Sequence, residues 1–183
     1  MNMKIFVFSL LFILSVPFLA FAEEESDFWG EWKGHVKSAW ESSDYDLLIP
    51  VWTWHNRLAY DKDKIRHYNE NPWGLGISRH YYDENKNLHG FMAMAFLDSH
   101  DHVEPIAGYY FIKNWYAGCE DEFAFGLGYS MGLTARSDYS FIPFPYILPL
   151  ASLQYQKLSF QVTYVPGAHN FGNVLFGWFK YEL

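Results

Sequence analysis

The stretch from Leu88 to Ser99, LHGFMAMAFLDS, limits what this chain can fold into more than any other. At the two-residue period of a β-strand, Phe91, Ala93, Ala95 and Leu97 fall on one side, while Met92, Met94, Phe96 and Asp98 fall on the other. Both faces stay apolar until the strand ends. An antiparallel strand in a soluble sandwich shows water one polar face, so a strand apolar on both sides predicts lipid outside and a dry interior inside. The run stops at a carboxylate and a hydroxyl, which puts Asp98 and Ser99 at the rim of a small barrel with an apolar lumen.

Residues 1–22 read as a secretory signal. They carry one cation, Lys4, an apolar run from Ile5 to Leu19, and Ala20-Phe21-Ala22 before the polar cluster Glu23-Glu-Glu-Ser26. The run is too short to span a bilayer comfortably, and residues 23–183 are then one domain of ordinary size. No later segment reaches the length of a transmembrane helix, yet the chain is 50% hydrophobic and 21% aromatic, which fits an exported outer-membrane barrel with aromatic girdles. A net charge of -8 argues against binding nucleic acid. The single cysteine, Cys119, has no partner for an internal disulfide.

A helix is expected from Ser26 and Asp27, which can cap it, to about Ser43. Phe28, Trp29, Trp32, Val36 and Trp40 gather on one side of it, so it reads as lying in the membrane interface, with a plug packed on or inside the barrel as the other reading. From there the period is that of strands. Eight are expected, at about Ile49 to Tyr60, Trp73 to Tyr82, Leu88 to Leu97, Ile106 to Trp115, Glu122 to Arg136, Ile147 to Gln156, Leu158 to Val165 and Val174 to Leu183. Short joins alternate with longer connections, as in an eight-stranded antiparallel transmembrane β-barrel, and the long loops carry the outward end.

Strand five predicts the lumen. Its large residues, Phe123 to Leu133, occupy one face, and Ala124, Gly126, Gly128, Ser130, Gly132 and Thr134 the other, so small side chains inside leave a slot unless the glycines mark strand curvature. Pro50, Pro72, Pro149 and Pro166 lack the N–H that a ladder needs, so pairing is interrupted near each, either opening lateral doors from the lumen or ending strands.

Among eight histidines, His55 lies on a strand within Trp52-Thr-Trp-His-Asn-Arg57. With Asp98 and Ser99 it would supply a base, an orienting carboxylate and a hydroxyl for acyl transfer, against the plainer reading of an interface histidine and a capped loop. His100 and His102 with Asp98 and Asp101 invite a metal, but spacing specifies no distant further ligand, so no metal is expected.

From Tyr45 onward the chain resembles the PagP family, the lipid A palmitoyltransferases of the bacterial outer membrane. The likeness is carried in order by Tyr45-Asp-Leu-Leu-Ile-Pro50, Thr53-Trp-His55, Tyr68-Asn-Glu70, Pro72-Trp-Gly74, Asp98-Ser99, Glu104-Pro-Ile-Ala-Gly-Tyr109, Leu133-Thr-Ala-Arg136 and Thr163-Tyr-Val-Pro-Gly167. The resemblance implies palmitate transfer from the sn-1 position of a glycerophospholipid to a hydroxyacyl chain of lipid A in the outer membrane, without a cofactor; the other reading is a non-catalytic small barrel that binds lipid or lipopolysaccharide. A homodimer is left open. It implies His55 as general base, Asp98 as the group that orients it, and Ser99 as nucleophile or hydrogen-bond donor. It implies lipopolysaccharide recognition at His89, an acyl slot lined by Met94, a substrate contact at Arg136, and lateral openings at Pro50, Pro72, Pro149 and Pro166. Two residues depart from the pattern. Tyr110 stands where enterobacterial members have a slot-floor glycine, which would shorten the chain accepted, and His169 replaces a tyrosine involved in phospholipid gating.

Overall fold

The structure, a computed structural model, describes residues 25–118 and 122–183. The expected signal segment, the side chains of Ser26 and Asp27, and Cys119 lie outside the described residues. Helix α1 spans Glu25–Glu41. The strands are β1 (Asp44–His55), β2 (Gly74–Tyr82), β3 (Leu88–Leu97), β4 (Val103–Ala117), β5 (Phe123–Thr134), β6 (Phe144–Tyr155), β7 (Leu158–Val165) and β8 (Val174–Glu182). Each strand pairs antiparallel with its neighbours, and β8 pairs back onto β1, so the sheet closes into an eight-stranded barrel. Two short elements not read from the sequence sit in loops: helix α2 (Lys62–Ile65) and a 3-10 turn (Ser137–Tyr139).

The outer surface is apolar. Ile77 keeps 61% of its surface exposed, Leu153 62% and Ile147 65%, and such residues recur around the barrel. A contiguous band of this kind is a liability in water and a requirement in hydrocarbon. Among the described residues, no helix is long and apolar enough to cross a membrane. Trp40, at the end of α1, is 62% exposed and meets Phe91 edge-on at 5.2 Å. The guanidinium of Arg79 donates to the carbonyl of Trp40, tying that last turn to β2. Earlier in α1, Phe28 and Trp29, and Trp29 and Trp32, pack edge to face at 5.5 and 6.0 Å.

β1 begins five residues earlier than the sequence predicts and ends five earlier. Two acids there read as loop, but Asp46 points inward and is neutralised. Its carboxylate lies 3.0 Å from Lys180 Nζ and 2.9 Å from His80 Nδ1, and accepts from the Ser78 hydroxyl. Lys180 also contacts Glu182 at 2.8 Å, and the Tyr82 hydroxyl donates to Glu182 at 2.8 Å. The expected dry, apolar lumen therefore holds only in part, since charged groups fill the end carrying the short turns. Above them lie Leu48, Met92, Met94, Phe96, Leu150, Phe176 and Trp178. The small face of β5 does turn inward, with Ala124 and Ser130 buried. The space it spares is occupied, however: a Cβ on Gly126 would strike the Ile112 side chain, and one on Gly132 would strike the β4 backbone at Ala107 and Gly108. Phe96 and Phe176 meet across the lumen with ring centres 4.4 Å apart.

Pairing is incomplete in two places. β1 pairs with β2 only over Asp44–Leu48, leaving Ile49–His55 without a β2 partner. β6 pairs with β7 only from Leu150 onward, leaving Phe144–Pro149 without one. Pro50 and Pro72 flank the first gap, and Pro149 and Pro166 the second, all toward the long-loop end. Missing N–H donors and missing ladder coincide.

Candidate active site

His55 owes its direction to an irregularity. Asp46, Leu48 and Pro50 point inward at even positions, but the register against β8 shifts between Pro50 and Trp52. Val51 is the extra residue of a β-bulge, and it exchanges the two faces for the rest of the strand. Thr53 and His55 then turn inward, leaving His55 2% exposed. The Tyr60 and Tyr68 rings pack on the imidazole at 5.2 and 4.7 Å. Burial pushes the Tyr60 phenol up to about 12, so its hydroxyl keeps its proton and donates to the Gly172 carbonyl at 2.6 Å.

Each nitrogen of His55 has one partner. Nδ1 lies 3.1 Å from Glu70 Oε1, and Nε2 lies 2.9 Å from Ser99 Oγ. A carboxylate only accepts, so Nδ1 carries the proton, and Nε2 is left as the acceptor for the serine hydroxyl. The His55 backbone N–H also donates to Glu70 Oε1 at 3.1 Å, and Arg57 donates to Oε2 at 2.5 Å. Burial by itself would raise Glu70, but the bonds from Arg57 and His55 outweigh it and hold the carboxyl below its ordinary 4.5. Backbone bonds fix this loop on both sides, from Thr53 N–H to the Glu70 carbonyl and from Asn69 N–H to the Ser99 carbonyl, each 3.0 Å. Glu70 thus fills the gap that β2 leaves beside β1.

The structure therefore brings His55 and Ser99 together and puts a different carboxylate behind the histidine than expected. Asp98 is buried, but Oδ1 accepts from the backbone N–H groups of His100 and His102 at 2.8 and 2.9 Å, and Oδ2 from Ser137 at 3.3 Å. It shapes the turn that presents Ser99, whereas Glu70 is the group on the imidazole. Alternation along strands gives no sign of Glu70, which lies fifteen residues from His55 in an aperiodic loop, although Tyr68-Asn-Glu70 is one of the segments that carry the PagP resemblance.

The other expected residues scatter. Arg136 stands on the long-loop rim, ion-paired to Glu104 and Asp138 at 3.3 Å each. Met94 is buried in the apolar lumen. Tyr110 is 1% exposed, deeper in the barrel, with its ring over Gly90 and its hydroxyl 3.5 Å from Ser78 Oγ, against the charged group. His169 sits in the β7–β8 loop, 3.5 Å from Asp61. Asn170 reinforces that link, donating to Asp61 Oδ2 at 2.7 Å and accepting from the Asp61 N–H at 2.9 Å. His89 is at the opposite end of the barrel from His55, beside the β2–β3 turn.

A buried imidazole that accepts from a serine hydroxyl, backed by a carboxylate at the mouth of an apolar tube, is equipped to activate an alcohol for acyl transfer. Residues 35–180 match the family model described as "Antimicrobial peptide resistance and lipid A acylation protein PagP". The chain belongs to the PagP family. It is 54% identical over 156 residues to a protein of Laribacter hongkongensis named lipid A acyltransferase PagP, covering 85% of this chain and 75% of that one. It is 48% identical over 161 residues to the Proteus mirabilis protein of the same name, covering 87% and 76%. The PagP match takes in β1 to β7 and β8 as far as Lys180, and so includes both partners in the closure of the barrel.

Proposed function

We propose that this protein is a lipid A acyltransferase of the outer membrane, which moves a fatty acyl chain from the sn-1 position of a glycerophospholipid to a hydroxyacyl chain of lipid A. The observation that carries the chemistry is the chain of contacts from Glu70 through His55 to Ser99. Ser99 Oγ attacks the sn-1 ester carbonyl while its proton passes to His55 Nε2. Collapse of the tetrahedral intermediate hands that proton to the leaving lysophospholipid hydroxyl. The lipid A hydroxyl then loses its proton to the same nitrogen and attacks the acyl-serine, whose departing Oγ takes the proton back. One ester is exchanged for another. Glu70 holds the imidazole in the needed tautomer and offsets the charge it acquires, and Asp98 keeps the turn bearing Ser99 closed.

The acyl chain occupies the lumen between Ser99 and Tyr110, with Met94 along its wall. For it to enter, Phe96 and Phe176 must part, and the two unpaired stretches beside the prolines are the routes from the bilayer. Tyr110 floors the slot and shortens the favoured chain. His169 helps to hold the loop beside one route, and His89 takes part in any lipopolysaccharide contact only at a site separate from transfer. Mass analysis of intact protein quenched with phospholipid alone tests the mechanism. An added acyl group on Ser99 is expected, and rapid transfer with no such adduct at any time would move the base's target from Ser99 to the acceptor hydroxyl.

A further inference from the structure

At the short-turn end of the barrel a second histidine cluster lies outside the transfer chemistry. Among the described residues, two groups of three side chains bring histidine and carboxylate ligand atoms close together. One, Asp46, His80 and Glu182, already contains a cation, because the Lys180 ammonium lies 3.0 Å from Asp46 and 2.8 Å from Glu182. The other is His35, Asp83 and His89, with two imidazoles and one carboxylate.

We propose that His35, Asp83 and His89 form a site for a divalent transition ion of the zinc type. One ligand atom from each lies within 4.8 Å of the others. A tetrahedral ion with bonds of about 2.0–2.1 Å keeps its ligand atoms about 3.3–3.4 Å apart. His89 Nε2 and Asp83 Oδ2 are already 3.3 Å apart, the edge such an ion needs and longer than the about 2.7–2.9 Å to which a charge-assisted hydrogen bond closes. His35 stacks on His89 with ring centres 4.4 Å apart and planes 18° from parallel, and a rotation of the His35 side chain that brings its nitrogen to about 3.3–3.4 Å from both other ligand atoms completes the remaining two edges.

The surroundings are those that hold metal ligands in place. His89 is buried, with Nε2 facing the Asp83 carboxylate and Nδ1 2.7 Å from the Tyr109 hydroxyl, so an ion that displaces the Nε2 proton leaves Nδ1–H to donate to the Tyr109 oxygen. Asp83 is oriented by the Asn85 and Asn87 backbone N–H groups on Oδ1, both at 2.8 Å, and by the Asn87 amide on Oδ2 at 2.9 Å. Two imidazoles and a carboxylate suit zinc better than calcium or magnesium, which favour all-oxygen shells. Three protein ligands leave one position for water or an anionic group. The ligands come from three segments: α1, the β2–β3 turn and β3. Bound metal would therefore pin the last two turns of α1, from His35, to the β2–β3 turn.

The test uses full-length barrel without a polyhistidine tag, stripped of metal in detergent and then dialysed against zinc or cobalt. About one zinc per chain is expected, with the visible absorption of tetrahedral cobalt and a thermal midpoint that rises with zinc. His35→Ala, which suits a helix, and Asp83→Asn should each lower zinc affinity at least tenfold and abolish the cobalt bands while the barrel stays folded by circular dichroism. Equal zinc uptake by wild type and both variants would assign the metal to other histidines and overturn the site. So would a wild type that takes up none.

Discussion

The two ends of the barrel each hold a buried histidine between a carboxylate and a hydroxyl, and they use it differently. At the long-loop end, His55 donates to Glu70 and accepts from Ser99, so its free electron pair faces an alcohol that can become a nucleophile. At the short-turn end, His89 lies between Tyr109 and Asp83, beneath the His35 ring, and its hydrogen-bond partners among the described residues are a phenol and a carboxylate. The same imidazole is thus set as a base in one place and as a ligand in the other. Between them the lumen changes from apolar to charged, with Tyr110 at the boundary.

Variants can break this contrast in order of effect. Ser99→Ala and His55→Ala should each reduce acyl transfer about 10⁴-fold, read as acylated lipid A formed per minute by folded barrel. Glu70→Gln should lower kcat about 10²- to 10³-fold with KM little changed, and Glu70→Asp should recover part of that loss. Asp98→Ala should lower transfer by another route. It frees the His100 and His102 N–H groups, so their amide exchange quickens, whereas Glu70→Gln leaves that exchange as it was.

Lys180→Met leaves Asp46 buried without its cation and should cost about 3–5 kcal/mol in unfolding by denaturant. Tyr110→Gly should shift the transferred chain toward greater length, and each methylene newly accommodated is worth about 0.8 kcal/mol, about fourfold in preference. Mass analysis of the lipid products reads that shift. The smallest effect concerns acid. Because the folded value of Glu70 is depressed, the stability its bonds lend is full above 4.5 and is lost only as pH falls through the lower value. Limited proteolysis of the β1–β2 loop should therefore stay unchanged from neutral pH to 4.5 and rise below that.

Much of the fold is legible in the sequence, and the failures have physical causes. β3 and β7 fall where alternation puts them, because a strand with an apolar outer face and packed side chains inside, and no bulge along its length, repeats every two residues. The start of β1 is hidden because Asp46 is neutralised by Lys180, 134 positions away, and the two become neighbours only when β8 closes on β1. The inward turn of His55 depends on one bulged residue, Val51, which no periodicity announces. Asp98 and Ser99 stand out as a pair by adjacency. Adjacency does not say which carboxylate reaches the imidazole, and a loop tied down by backbone bonds supplies Glu70 instead.

The most direct measurement is the mass of lipid A and phospholipid after incubation with the folded barrel in detergent, for wild type, His55→Ala and Ser99→Ala. Wild type should yield lipid A heavier by one acyl chain together with an equal amount of lysophospholipid, and both variants should yield neither. A folded wild type that makes no acylated lipid A, or variants that make as much of it as wild type, would contradict transfer through His55 and Ser99.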